Sequence, residues 1–132
     1  MVPKRKIALV IEDFKRRGEA VRSMLIRDFK EVYVTHSPSE AQRIMDEEPV
    51  THILSESNLG IQCSGLDAFE IVSMWRQSHS SIERIVMLSN QSEGFEKPED
   101  VDVLLSVGSP TQRIVEALVG NFPLDSEKDD GE

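Results

Sequence analysis

A chain of 132 residues with 39% hydrophobic content is long enough for one domain with a buried core, and its composition is not that of a disordered polymer. No apolar stretch approaches 18 residues, which excludes a membrane-spanning helix. The formal net charge is −9, and the stretch DSEKDDGE near the C-terminus supplies −4 of it, so the remainder is mildly acidic and argues against nonspecific nucleic-acid binding.

The N-terminus, MVPKRKIALVIED, is basic and then apolar, but the apolar run Ile7–Ile11 is too short for a signal-peptide core. One cysteine, Cys63, rules out an internal disulfide and suits a reducing compartment. Both features lead us to expect a cytoplasmic protein. We expect one domain over residues 1–120 and a disordered acidic tail over 121–132, whose stretch DSEKDDGE has nothing to bury.

Ile7–Ile11 is apolar without alternation, as a strand covered on both faces requires. Residues 14–29 carry apolar positions at Phe14, Val21, Met24, Leu25 and Phe29, a helical stripe interrupted by Gly18. The β-rich Glu31–Thr35 predicts a second strand. Ser37-Pro38-Ser39-Glu40 predicts a capped helix to about Glu48, with Glu40 reaching back to the cap and Pro49 ending the helix.

Residues 51–56 predict a third strand. Ser64-Gly65-Leu66-Asp67 precedes a helix to about Gln77, with Ala68, Phe69, Val72 and Trp75 inward. Residues 84–88 form the fourth strand, ending at Ser89-Asn90. QSEGFEKPED, with Gly94 and Pro98, allows only a short or irregular helix. Residues 101–107 predict the fifth strand, and Ser109-Pro110-Thr111-Gln112 a capping box for the last helix, which Gly120 ends. Alternating strands and helices with short connections imply a parallel sheet with helices on both faces, and ligands collect at the carboxyl ends of its strands.

Those ends hold Glu12-Asp13, Thr35-His36, Ser55-Glu56, Ser89-Asn90 and Gly108-Ser109. With the first strand beside the third, Glu12, Asp13 and Glu56 crowd one pocket. Like charges ~4 Å apart repel by several kcal/mol at protein-surface dielectric. Such acids bind a hard cation, gain a basic partner or take up protons, and Mg²⁺ suits them.

The order and spacing resemble the receiver domain of two-component response regulators over residues 4–120. KIALVIEDF resembles the family's first strand with its metal-binding acids, which places those roles on Glu12 and Asp13. SNLGIQCSGLDAFEIV resembles the loop and helix after the phospho-acceptor, and RIVMLSN resembles the fourth strand, with the switch hydroxyl on Ser89. Ser109-Pro110 falls on the family's Lys-Pro. The resemblance implies an α/β, flavodoxin-like (βα)5 sandwich with strand order 2-1-3-4-5 and an irregular or short fourth helix. It also implies a partner surface on the family's fourth helix, fifth strand and fifth helix, here residues 91–118, through which a homodimer is an option.

The departures carry the functional reading. Glu56 stands where the family is phosphorylated on aspartate, Ser109 stands at the lysine, and no aromatic occurs between Asp100 and Pro110 to replace the family's rotating Tyr or Phe. Glutamate sets its carboxylate one methylene further out, and a misplacement of ~1 Å costs on the order of 10²-fold in rate. Without the lysine, a transferred phosphoryl group loses its one fixed cation besides a metal. We therefore expect an atypical, or pseudo-, receiver: a non-enzymatic signalling module that binds protein partners, without nucleic acid or membrane.

Several alternatives stand beside that reading. Glu56 is either a built-in phosphate mimic or a solvated strand-end acid, and Glu12-Asp13 either hold weak Mg²⁺ or are vestigial surface acids. Ser89 either holds a switch-like hydrogen bond or bonds the local backbone, and the capping box accounts for Ser109 structurally. Ser55 or Ser57 as another acceptor has no general base at a defined spacing. Met74 and Trp75 read as core and edge packing. Lys15-Arg16-Arg17 is either solvated or paired with the acids. A Mg²⁺-dependent phosphoryl-transfer or hydrolase activity at Glu12, Asp13 and Glu56 is the competing enzyme reading, disfavoured because no second nucleophile, histidine or phosphate-gripping glycine loop accompanies them.

Overall fold

Five short parallel strands pair in the order β2-β1-β3-β4-β5. They are β1 (Ile7–Ile11), β2 (Glu31–Thr35), β3 (His52–Glu56), β4 (Arg84–Ser89) and β5 (Val103–Ser106). The computed structural model describes residues 6–12, 15–56, 68–89 and 99–120. Four helices accompany the strands in that described part: α1 (Lys15–Leu25), α2 (Pro38–Glu47), α3 (Ala68–Ser78) and α4 (Thr111–Val119). No described helix is long and apolar enough to cross a membrane. The architecture is the doubly wound α/β sandwich that the sequence predicts.

The strand residues divide between two apolar layers by simple alternation. Leu9, Ile11, Ile53, Ile85 and Met87 pack with α2 and α3, through Ile44, Met45, Val72 and Trp75. Val10, Leu54, Val86, Leu88 and Leu105 pack with α1 and α4, through Val21, Leu25, Ile114 and Leu118. Strands buried on both faces must be apolar throughout, which is why β1 reads as an unbroken IALVI.

Several local expectations are corrected. The first helix ends at Leu25 rather than Phe29; Asp28 and Phe29 donate their amides to the Leu25 carbonyl at 2.8 and 3.2 Å, closing a turn that keeps Phe29 buried. The apolar spacing continued through this turn and made the helix look longer. β5 forms over four residues rather than seven, although Asp102 N and Val107 N still bond to Ile85 O and Ser89 O on β4.

Ser37 caps α2, with Glu40 N donating to its Oγ at 3.3 Å. The reciprocal half of that box is replaced: the Glu40 carboxylate accepts from the Thr35 hydroxyl, and Ser37 N donates to Thr35 Oγ1. At the last helix, Pro110 rather than Ser109 occupies the N-cap and makes no side-chain cap bond. Ser109 instead donates its amide back to Ser106 O at 3.0 Å, so the capping box does not account for it. Gly120 ends α4 in the left-handed region at φ 92°, where a residue without Cβ is unstrained. Trp75 is buried and donates Nε1–H to Gln42 Oε1 at 2.7 Å, tying α3 to α2, whereas Met74 is exposed. The start of the third helix, the segment 90–98 and the tail 121–132 lie outside the described residues, and with them the expectations about Cys63, Ser57, Ala68's inward side chain, the irregular fourth helix and the disordered tail.

Candidate functional site

The carboxyl ends of the strands carry a row of polar side chains that are almost fully buried. Glu12, just past β1, is 1% exposed; Glu56, ending β3, is 6%; and Ser89, ending β4, is 4%. β1 and β3 are neighbours in register, with Ile11 opposite Ser55, so Glu12 and Glu56 follow side by side. Glu12 extends the sheet ladder, donating its amide to Thr35 O at 2.9 Å. Strand alternation sends both glutamates toward the α1 and α4 layer. Asp13, the third acid expected there, lies outside the described residues.

Burial bears on the exposure that the two bland alternatives assumed for Glu12 and Glu56. Glu56 is not a solvated strand-end group, and Glu12 is not a surface acid. A buried carboxylate needs compensation, since desolvating an ion costs several kcal/mol unless it is paired and hydrogen-bonded. For Glu12 part of that compensation comes from α1: Arg17 Nε lies 3.8 Å from Glu12 Oε1, and the arginine side chain is 20% exposed.

The basic cluster is thus divided, with Arg17 paired to the acid and Lys15 and Arg16 exposed. A fixed cation therefore stands by the strand-end acids although the fifth strand is followed by Ser109 rather than lysine. Gly18 is the sequence signal for this approach. A Cβ there would lie 2.9 Å from Val34 Cγ1 and 3.8 Å from Glu12 Cβ, so glycine is what lets α1 settle onto the strands and carry its neighbour Arg17 to the sheet end.

The serines take different positions. Ser55 is buried and donates its hydroxyl to the Glu56 carbonyl at 3.2 Å, an arrangement that suits local backbone satisfaction rather than attack on phosphate. Ser89 sits opposite Ser106 in the register of β4 and β5, and its carbonyl accepts from Val107 N at 3.2 Å. Ser109 lies in the turn after β5, beside a groove that also includes Arg16 and Arg17.

Glu12 and Glu56 are the hard oxygen donors that Mg²⁺ takes. Among the described residues, no group of three or more His, Cys, Asp or Glu side chains is arranged to hold a metal. Arg17 already offsets the charge of Glu12, so the fit to a divalent cation is partial: two carboxylates on adjacent strand ends, one of them sharing a guanidinium.

Strand order and helix placement define a class of fold, the flavodoxin-like fold that CheY-like receiver domains of response regulators share. A receiver domain from Methylobacillus flagellatus superposes with a TM-score of 0.68 at 18% identity, covering 88% of this chain and 98% of that one. A receiver domain from Clostridium thermocellum gives 0.69 at 16% identity over 87% and 92% of the two chains. A response regulator from Burkholderia pseudomallei, whose structure contains a phosphorylated aspartic acid and a calcium ion, gives 0.63 at 21% identity over 86% and 66%. At these identities the likeness is one of fold. No protein-family model matches the sequence, and no curated protein matches it.

Proposed function

We propose that this chain is a receiver-type signalling module of the two-component kind that works by binding protein partners and not by receiving phosphate. One observation carries the reading. The end of β3, where the resemblance to receivers puts the phosphorylated aspartate, holds Glu56, buried at 6% exposure beside Glu12. The longer side chain moves the carboxylate away from the position at which an aspartate would attack, and the lysine and the aromatic of the last strand are replaced as well. The Arg17 guanidinium beside Glu12 supplies positive charge that a working site would take from a metal. Mg²⁺ binding is accordingly weak in this reading, and the domain performs no catalysis.

The partner surface we assign to it is the one the resemblance implies over residues 91–118, of which β5 and α4 are among the described residues. Incubating the purified protein with acetyl phosphate and Mg²⁺, followed by intact-mass analysis, tests the proposal. An unchanged mass is expected, and a stable phosphate on Glu56 would defeat it. Turnover of generic phosphoesters above the rate without protein would favour the enzyme reading instead.

A further inference from the structure

A groove of about 610 Å³ runs between α1 and the turn that joins β5 to α4. Arg16, Arg17 and Ala20 form one side, and Val107, Ser109 and Pro110 are among the residues of the other. Two arginines on successive helix positions contribute to one groove, and among the described residues that line it none is acidic. Arg17 directs Nε toward Glu12, but its Nη1 is buried with no hydrogen-bond partner among the described residues. A buried donor without an acceptor costs about 1–3 kcal/mol, so the Arg17 fork is under-satisfied beside the groove that its residue lines. Arg16, exposed beside it, has no ion pair to an acid among the described residues, so its charge is available to the same ligand.

The opposite side completes the chemistry. Ser109 brings a hydroxyl, while Val107 and Pro110, facing Ala20, give an apolar surface of the kind that holds the body of a small molecule. The volume lies within the range of roughly 300–1,000 Å³ typical of small-ligand sites. Guanidinium groups grip phosphate oxygens through N–H donors; Arg16 brings the uncompensated charge, and Arg17, whose charge Glu12 offsets, brings further donors. We infer that this groove binds a small organic phosphate monoester, its phosphate held between Arg16 and Arg17 and its organic body against Val107 and Pro110. The groove adjoins the strand-end acids through Arg17, which faces Glu12, but the binding proposed here is non-covalent and does not require Glu56 to take phosphate.

The test is a ¹H–¹⁵N titration of the full chain with AMP and, separately, with inorganic phosphate, in the absence of metal and of any phosphoryl donor. Both probes are expected to shift the Ala20, Gly108, Ser109 and Thr111 amides saturably, AMP with the lower Kd, and both more weakly at higher salt. Arg16→Ala is expected to raise the Kd for AMP roughly tenfold without changing the melting temperature, and Ala20→Glu to abolish binding by placing a carboxylate in the groove. Arg17→Lys, which keeps a charge beside Glu12 while removing the fork, is expected to weaken binding in a folded protein. Absence of saturable shifts up to about 10 mM of either probe, or unchanged affinity in Ala20→Glu, would overturn the site. Binding of phosphate with no gain for AMP would overturn the assignment of an organic body.

Discussion

Arg17 Nε stands 3.8 Å from Oε1 of Glu12, and the carboxylate it faces is 1% exposed. Removing one member of a buried pair leaves a charge without its counter-ion, at a cost that reaches 3–5 kcal/mol for well-formed pairs. Here the separation is long and the arginine partly exposed, so Arg17→Ala is expected to lower stability by about 1–2 kcal/mol. Neutralising the acid as well, in Glu12→Gln with Arg17→Ala, should cost less than the two single changes added together. Urea unfolding of all four proteins reads the coupling directly.

Gly18 makes a sharper case for the same contact. Alanine is favoured over glycine inside a helix by about 1 kcal/mol, so on propensity alone Gly18→Ala should stabilise α1. The added methyl would lie 2.9 Å from Val34 Cγ1, a branch of a stiff side chain on β2. We expect a net loss of about 1–2 kcal/mol from overpacking, reversed in sign when the same change is made in a Val34→Ala background. Thermal melts of the two pairs of proteins check it.

His52, at the start of β3, is buried edge-on against Phe29, with ring centroids 5.0 Å apart, and its Nδ1 lies 2.8 Å from the Thr51 hydroxyl. Burial pushes its pKa down from 6.5 to about 4; Lys6 and Arg84 add to the shift, while Glu83 and Asp102 oppose it. The neutral ring is thus the folded form, whereas the unfolded chain binds a proton below pH 6.5. Stability from this group is complete above that pH and is lost as pH falls toward 4, in total on the order of 3 kcal/mol. Comparing wild type with His52→Gln by urea unfolding between pH 7 and 4 should show a shallower slope in the variant, because carboxylate titration is common to both.

Arg76 ties α3 to the start of β5. Nη1 donates to the Asp100 carbonyl at 2.7 Å and to Asp102 Oδ2 at 2.8 Å, and Nη2 to the Glu83 carbonyl at 3.2 Å. The same Asp102 oxygen accepts from Ile85 N at 2.8 Å, so one side chain secures the β4 and β5 pairing. Arg76→Ala is expected to cost about 2 kcal/mol and Arg76→Lys nearly as much, since a single ammonium nitrogen cannot reach acceptors that the guanidinium serves from two separate nitrogens. Amide exchange at Leu104 and Leu105 should accelerate more than exchange in β1.

The scaffold was legible where a single physical demand shaped the sequence. IALVI had to be apolar on both faces, and both β1 and β2 begin and end at the residues their patterns mark. Ser37-Pro38 likewise opens α2 where its chemistry says it should. Boundaries failed where two demands overlapped. Phe29 keeps helical spacing because a closing turn buries it, and Ser109 has cap chemistry but sits in a turn that binds its amide to Ser106. At the site, the strand-end positions of Glu12 and Glu56 could be read, but their burial could not, since acids in sequence look solvated. Arg17 was visible as one of three basic residues; which of them turns inward depends on how closely α1 approaches β2, a distance set by a missing methyl at Gly18.

The sheet divides the interior into two compartments whose apolar residues do not mix. Glu12 and Glu56 belong by alternation to one of them, alongside Leu54, Leu88 and Ile114. Evolution, or an engineer, is therefore free to rebuild the α2 and α3 side for thermal robustness while leaving the acids' surroundings as they are. Changes to the α1 and α4 side have no such independence, because any repacking there also alters the dielectric in which the two glutamates sit.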